Sequence, residues 1–310
     1  MNASPRVRTA LLITGGRGQL GADLVAAAAR AGITAVRAPG SAELDVTDPA
    51  AVRAAVRALV GAGGSPVANA AVVSAVVVNA AAYTAVDAAE HDPERAHAVN
   101  AIGPAHLAAA CAEHGARLVQ VSTDYVFAGD APAPYRVDDP TGPRSVYGQS
   151  KLAGERAALG AGAHVVRTAW LYGARGANFV RTMARLERSH QTVPVVDDQW
   201  GSPTWTADLA DGLVALALAA DRVPPGVLHC VNSGATTWCG FARAVFTEIG
   251  ADPQRVRPCT TAEFPRPAPR PANSVLDTAS WIAAGLPPLR PWRAALAAAF
   301  AAQRAALTAP

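Results

Sequence analysis

Residues 9–21, TALLITGGRGQLG, constrain the chain more than any other stretch. Apolar and β-branched residues run into three glycines spaced three apart, Gly15, Gly18 and Gly21, and an alanine-rich stretch continues to about Ala31. That order predicts a strand, a tight turn and a helix. Glycines at such a turn let the backbone double back, let a pyrophosphate approach it, and let the helix pack close on the strand. The first amides of the helix, where Gln19 and Leu20 stand, would then face the phosphate. A chain that starts this way is expected to continue as alternating strands and helices around a parallel sheet.

The remaining pattern agrees. A second strand, residues 34–37, ends in Arg37, where an acid would serve a ribose 2′-hydroxyl and an arginine suits a 2′-phosphate. NADPH is therefore favoured over NADH, without excluding NADH. A helix over 49–60 and a loose Gly-, Ser- and Pro-containing segment over 61–69 lead to a β-branched run at 76–83. That run reads as a buried strand ending in Ala80, Ala81 and Ala82, small residues that let a cofactor lie against the backbone. A helix through 100–114 follows, then a strand ending at Val121 and leading to Ser122, Thr123 and Asp124. A strand at 165–173, a hydrophobic helix at 208–220 and a strand at 226–231 complete the alternation. The fold class is α/β, a Rossmann-type doubly wound parallel sheet. From about Thr236 the pattern changes, and helices at 240–250 and 291–307 flank the proline-rich FPRPAPRP at 264–271. The expected division is a nucleotide-binding domain, 1–168 with 193–232 returning to it, and a smaller C-terminal α/β substrate domain, 169–192 and 233–310.

Polar groups gather where an open α/β sheet binds ligands, at the carboxyl ends of its strands. Lys151 is the only lysine, every other non-histidine basic residue being arginine, and Tyr147 precedes it by four positions. That spacing puts both on one helix face. An ammonium is a compact point charge with rotatable donors, suited to holding a ribose diol and to favouring the charged form of a nearby phenol. Thr123 offers a hydroxyl for a substrate carbonyl oxygen. Trp170, at the end of a later strand, could stack on a base or sugar or fill a core. His91, His97, His106 and His114 show no metal-ligand spacing.

Composition closes several alternatives. Hydrophobic residues make up 51% and charged residues 16% of the 310, enough for a large core. The net charge of +3 comes from scattered arginines, which leaves no nucleic-acid footprint. Cys111, Cys230, Cys239 and Cys259 have no CxxC spacing, so a reduced cytoplasmic protein is expected. Residues 1–8 lead into only a short apolar run, unlike a signal peptide. The apolar run at 70–82 is interrupted by Ser74 and Asn79 and is too short to span a bilayer, so no membrane partner is expected.

In order along the chain, TGGRGQLG, LDVTD, VNAAAYTAVDAAE, STDYVFAGD, VYGQSKLAGE, RTAWLYG, NFV, DDQWGSPT and RPANSVLD resemble the dTDP-4-dehydrorhamnose reductases, which are extended short-chain dehydrogenase/reductases. The GxxGxxG spacing is that superfamily's variant of the dinucleotide turn. The resemblance covers residues 10–276 and implies a catalytic trio of Thr123, Tyr147 and Lys151. It implies cofactor contacts at Gly18, Gln19, Leu20, Arg37, Asp45, Val46, Ala80, Ala81, Ala82, Val121, Tyr147 and Lys151, beside Gly15 and Gly21 of the turn. Residues 44–46 would form a short third strand whose Asp45 and Val46 amide meet adenine. Substrate contacts would fall on Thr123, Asp124 and Trp170, with Arg270 on a phosphate. The implied reaction is NADPH-dependent reduction of the C4 ketone of a dTDP-4-keto-6-deoxyhexose, by a chain whose assembly could be a homodimer. Some relatives hold magnesium between subunits through carboxylates; this chain has Ala207 at one such place, so no metal is expected. Three rivals stay open. A 4,6-dehydratase or epimerase is disfavoured because Asp124 is followed by Tyr125 and not Glu. A 4-ketoreductase of another deoxysugar would look nearly the same. A non-catalytic regulator, like the regulatory subunit of methionine adenosyltransferase, shares the fold but has no need of an intact trio.

Overall fold

The structure, a computed structural model, describes residues 8–62 and 73–309. The terminal residues 1–7, most of the loose segment at 61–69 and the start of the apolar run at 70–82 lie outside the described residues. Strand β1 (Arg8–Thr14) turns into α1 (Gln19–Arg30), followed by β2 (Ala35–Arg37), α2 (Pro49–Ala62) and β3 (Val73–Asn79). Two short helices, α3 (Val86–Ala89) and α4 (Pro93–His97), run through a π-helical turn at Ala98–Ile102 into α5 (Gly103–His114). Then come β4 (Arg117–Thr123), α6 (Val146–Gly160), β5 (His164–Thr168), β6 (Leu171–Tyr172) and α7 (Phe179–Ser189). Three short strands, β7 (Val193–Val196), β8 (Trp200–Gly201) and β9 (Thr204–Trp205), precede α8 (Thr206–Ala219) and β10 (Gly226–His229). The chain ends with β11 (Thr236–Thr237), α9 (Trp238–Ile249), β12 (Val256–Cys259), α10 (Ala279–Ala283) and α11 (Trp292–Leu307).

Six strands form one parallel sheet in the order β2-β1-β3-β4-β5-β10. The sequence dictates its two-sided burial. In β1, Leu11 and Ile13 enter one core with Leu24 of α1 and Leu209 and Leu213 of α8. The intervening Ala10 and Leu12 enter the opposite core with Val52 and Val56 of α2 and Leu107 of α5. Strand periodicity of two makes a continuous apolar run serve both faces. A third core, with Tyr172, Trp205, Phe241, Phe246, Leu296 and Phe300, lies among α7, α9, α11 and the short strands.

Several boundaries differ from expectation. Residues 44–46 are not a strand but lead into a turn: the Asp48 amide donates to Asp45 O at 3.1 Å, and Asp45 Oδ1 accepts from the amide (2.9 Å) and hydroxyl (2.8 Å) of Thr47. Strand β3 stops at Asn79 because that side chain is drawn into a buried ladder, taking a bond from Thr14 Oγ1 (2.5 Å) and donating to Gln120 Oε1 (2.7 Å). Ala80 to Tyr83 therefore leave the sheet. The helix expected through 100–114 is interrupted by the π turn, which swings Asn100 inwards; such turns recur at functional sites. Strands β7, β8 and β9, expected in the nucleotide-binding half, pair with β12, β11 and β6, so the chain returns to the main sheet through α8 and β10.

Candidate active site

The glycine turn is built by close approach. Gly15 has φ +67°, and a Cβ there would lie 2.8–2.9 Å from the Ala80–Ala81 backbone, so only glycine lets the β1 and β3 loops meet. Gly16 is pressed against Ala38 and donates to Pro39 O at 2.9 Å, which brings the exposed Arg37 beside the turn. Gly18 is the N-cap of α1 and Gly21 packs on Gly15. Leu20 is buried in the core, whereas Gln19 Oε1 accepts from Asn178 Nδ2 (3.2 Å) at the start of α7. Arg17, which the sequence reading passed over, ion-pairs with Glu43 at 2.9 Å on the same rim.

The carboxyl end of β4 and one face of α6 bring Thr123, Tyr147 and Lys151 together, each no more than 9% exposed. Ser145 caps α6, its Oγ accepting from the Gly148 amide at 3.1 Å. Lys151 Nζ donates to Val121 O at 2.7 Å. Burial pulls the ammonium down to about 8, and the Glu155 carboxylate one turn on opposes this. Burial raises the Tyr147 phenol above its ordinary value; contact with the Thr123 hydroxyl works against that rise, and the Asp124 charge adds to it. The lysine expected to lower the phenol is not among the groups acting on it here. Thr123 Oγ1 donates to Asp124 Oδ1 at 2.9 Å and accepts from the Tyr125 amide. Burial lifts Asp124 to about 6, and the neighbouring Ser274 and Thr123 hydroxyls work against that rise. Asn100, which the sequence reading took for an ordinary helix residue, bonds the Tyr83 amide (2.8 Å) and carbonyl (3.0 Å) and Ser150 Oγ (3.0 Å). It thereby ties the loop after β3 to α6. Only the π turn made that visible.

The other wall comes from the proline-rich segment. Asp87 of α3 accepts from Arg270 (2.8 Å), Arg266 (2.5 Å) and the Ala268 amide (3.3 Å). Both arginines border a 440 Å³ cavity lined by Phe179, Met183, Trp238 and Phe264. Trp170 stacks on Trp238, centroids 3.5 Å apart and planes 6° from parallel. It is the only non-glycine residue with positive φ (+48°) among those described, a strained conformation of the kind that clusters at binding sites. The stacking satisfies the core-filling reading of its ring.

A dinucleotide fits this geometry. Beyond the glycine cradle, Ser122 Oγ, Asp124 Oδ2 and Thr168 Oγ1 are buried without partners at the strand ends. Buried polar atoms are normally paired, so these have bonding capacity to offer. Lys151 spends one of its three donors on Val121.

Comparison with known proteins agrees with this geometry. Residues 9–305 match the family described as RmlD substrate binding domain. A Streptomyces griseus dTDP-4-dehydrorhamnose reductase is 54% identical over 96% of this chain and 95% of its own length. A Mycobacterium tuberculosis dTDP-4-dehydrorhamnose reductase is 53% identical over 94% and 92%. The crystal structure of the Bacillus anthracis dTDP-4-dehydrorhamnose reductase, solved in complex with NADP, superposes with a TM-score of 0.85 at 33% identity, covering 96% of this chain and 100% of that one. With strand order, glycine turn and polar cluster all in place, the chain belongs to the dTDP-4-dehydrorhamnose reductase family of extended short-chain dehydrogenase/reductases.

Proposed function

We propose that this chain reduces the C4 ketone of dTDP-4-dehydro-L-rhamnose to dTDP-L-rhamnose, using NADPH. The observation that carries the reading is the buried Thr123–Tyr147–Lys151 cluster, in a chain 54% identical to a reductase of that name. The glycine turn and Arg37 would hold the pyrophosphate and 2′-phosphate of NADPH, Asp45 and Val46 its adenine, and Ala80 to Ala82 would lie along it. When bound, NADPH supplies the hydride that reaches C4. Lys151 would hold the nicotinamide ribose with its free donors. Thr123 would hold the ketone oxygen, and Tyr147 would give that oxygen the proton that balances the hydride. A phenol raised by burial is protonated at neutral pH, as a proton donor must be. Arg270 and Arg266 would neutralise the sugar diphosphate, with the nucleotide in the aromatic cavity, and Asp124 and Trp170 would border the sugar. With the return to the main sheet taken from Thr206 and not from 193, the division of 1–168 and 206–232 against the remainder would separate cofactor from substrate, with the site between them.

The test is NADPH oxidation with dTDP-4-keto-6-deoxyglucose, with and without a 3,5-epimerase. Turnover that depends on the epimerase is the expected result. Turnover without it would reassign the chain to a D-sugar 4-ketoreductase, and NADPH binding without oxidation in either case would overturn the assignment.

A further inference from the structure

Behind the polar cluster lies a pair of buried charges to which the mechanism above gives no part. Glu155 follows Lys151 by four residues on α6, hence on the same helix face, and the two are 1% and 4% exposed. Its carboxylate is clamped by Arg167 of β5: Nε reaches Oε1 at 3.0 Å and Oε2 at 3.2 Å, and Nη2 reaches Oε2 at 2.8 Å. Arg167, itself 3% exposed, is fixed in turn, its guanidinium 4.8 Å from the centre of the Phe127 ring and Nη1 donating to Val137 O. Burying such a pair costs several kcal/mol per ion before the attraction is counted, and well-packed apolar residues often do as well. Stability alone is therefore a poor reason for an ion pair in this place.

We propose that Glu155, clamped by Arg167, is a positioning residue for Lys151: it sets a counter-charge one helical turn behind the ammonium and keeps it cationic and directed at the cofactor site. The inference rests on the role given to Lys151 above. The surroundings supply no better counter-charge. On α6 the titratable neighbours on this face are Tyr147 and Glu155; beyond β4 stand Tyr125, raised by burial and so neutral, and Asp124, which at about 6 still carries charge near neutral pH but acts on Tyr147 and not on Lys151. Beyond Arg167 is His229 of β10, held down to about 4 by burial and by that guanidinium, hence neutral. Glu94 and His97 of α4 lie along another face of α6, beside Gln149 and Ala153. Burial by itself draws Lys151 towards neutrality, and the carboxylate opposing it is Glu155.

Because Lys151 is the sole lysine, side-chain ¹³C-lysine labelling yields one ε-methylene resonance, and its titration can be read directly without any ligand. The wild-type midpoint is expected near the value of about 8 set by burial. Glu155→Gln should lower it by on the order of one pH unit, because it removes a charge from the adjoining turn of the helix and leaves Arg167 unopposed. The Glu155→Gln/Arg167→Met double variant strands no ion, so it remains informative if the single variant does not fold; its midpoint should fall by roughly half as much. The alkaline limb of NADPH binding should move with the resonance. Midpoints unchanged or raised in the folded variants would overturn the proposal and leave the pair a purely structural one. A wild-type chain that fails to bind NADPH would instead overturn the cofactor reading, while the lysine titration still judges the role of Glu155.

Discussion

The two walls of the cleft are built on different principles. The wall of β4 and α6 is fixed by backbone and burial. Gly148 packs on the Tyr125 carbonyl and Gly154 on the Asn100 carbonyl, so the helix seats at distances no Cβ would permit, and Tyr147 and Lys151 inherit that rigidity. The wall made by the proline-rich segment is held by side chains in partial contact with solvent. Arg266, Arg270 and Asp87 have side chains 49%, 17% and 23% exposed, and Phe264 is 46% exposed. Partly exposed ion pairs contribute only up to about 1 kcal/mol each, so this wall can rearrange around a ligand at little cost. Proton transfer needs the first kind of wall, because sub-ångström placement governs it. Recognition of a flexible diphosphate is served by the second.

The largest expected effect tests whether the rigid wall does the chemistry. Tyr147→Phe should lower kcat by ~10²–10⁴-fold while NADPH affinity, measured by nucleotide fluorescence, stays within about twofold. Near-normal turnover would remove the phenol from the reaction. The next effect asks whether the rigidity is real. Gly154→Ala should destabilise the chain by about 1–3 kcal/mol in a denaturant titration, because its Cβ meets the Asn100 carbonyl. Gly160→Ala in the same helix has nothing within 4 Å and should stabilise by roughly 0.5–1 kcal/mol. If both alanines behaved alike, the close seating of α6 would not be what orders this wall. The smallest effect concerns the adjustable wall. Arg270→Ala should raise the KM for the sugar nucleotide by roughly tenfold, the worth of one charge-assisted hydrogen bond, and leave kcat within about twofold. A fall in kcat at unchanged KM would mean that the two walls are not separable.

Much of the rigid wall was legible in the chain. The strand–glycine–helix opening, the apolar runs and the Tyr147–Lys151 spacing are local patterns, and local patterns survive into structure because they set backbone geometry directly. Asn100 was not legible, since its inward turn depends on a π bulge that pairs it with Tyr83 and Ser150, distant residues with no common motif. The stop of β3 at Asn79 escaped for the same reason: its partners Thr14 and Gln120 belong to two other strands. The strand at 44–46 was expected from the family resemblance, and the Asp45–Thr47 bonds that decide against it leave no mark on the apolar pattern.

The amino-acid sequence by itself determined the doubly wound sheet, the strand–glycine–helix turn and the placing of Tyr147 and Lys151 on one helix face, because each follows from residue types at short, fixed spacing. Only the tertiary structure decided that Arg270 is neutralised by Asp87, 183 positions earlier in the chain, that Trp170 spends a face on Trp238, and that Lys151 has a clamped carboxylate behind it. These are pairings between elements brought together by packing, and charge and stacking act through space, which spacing along the chain does not record.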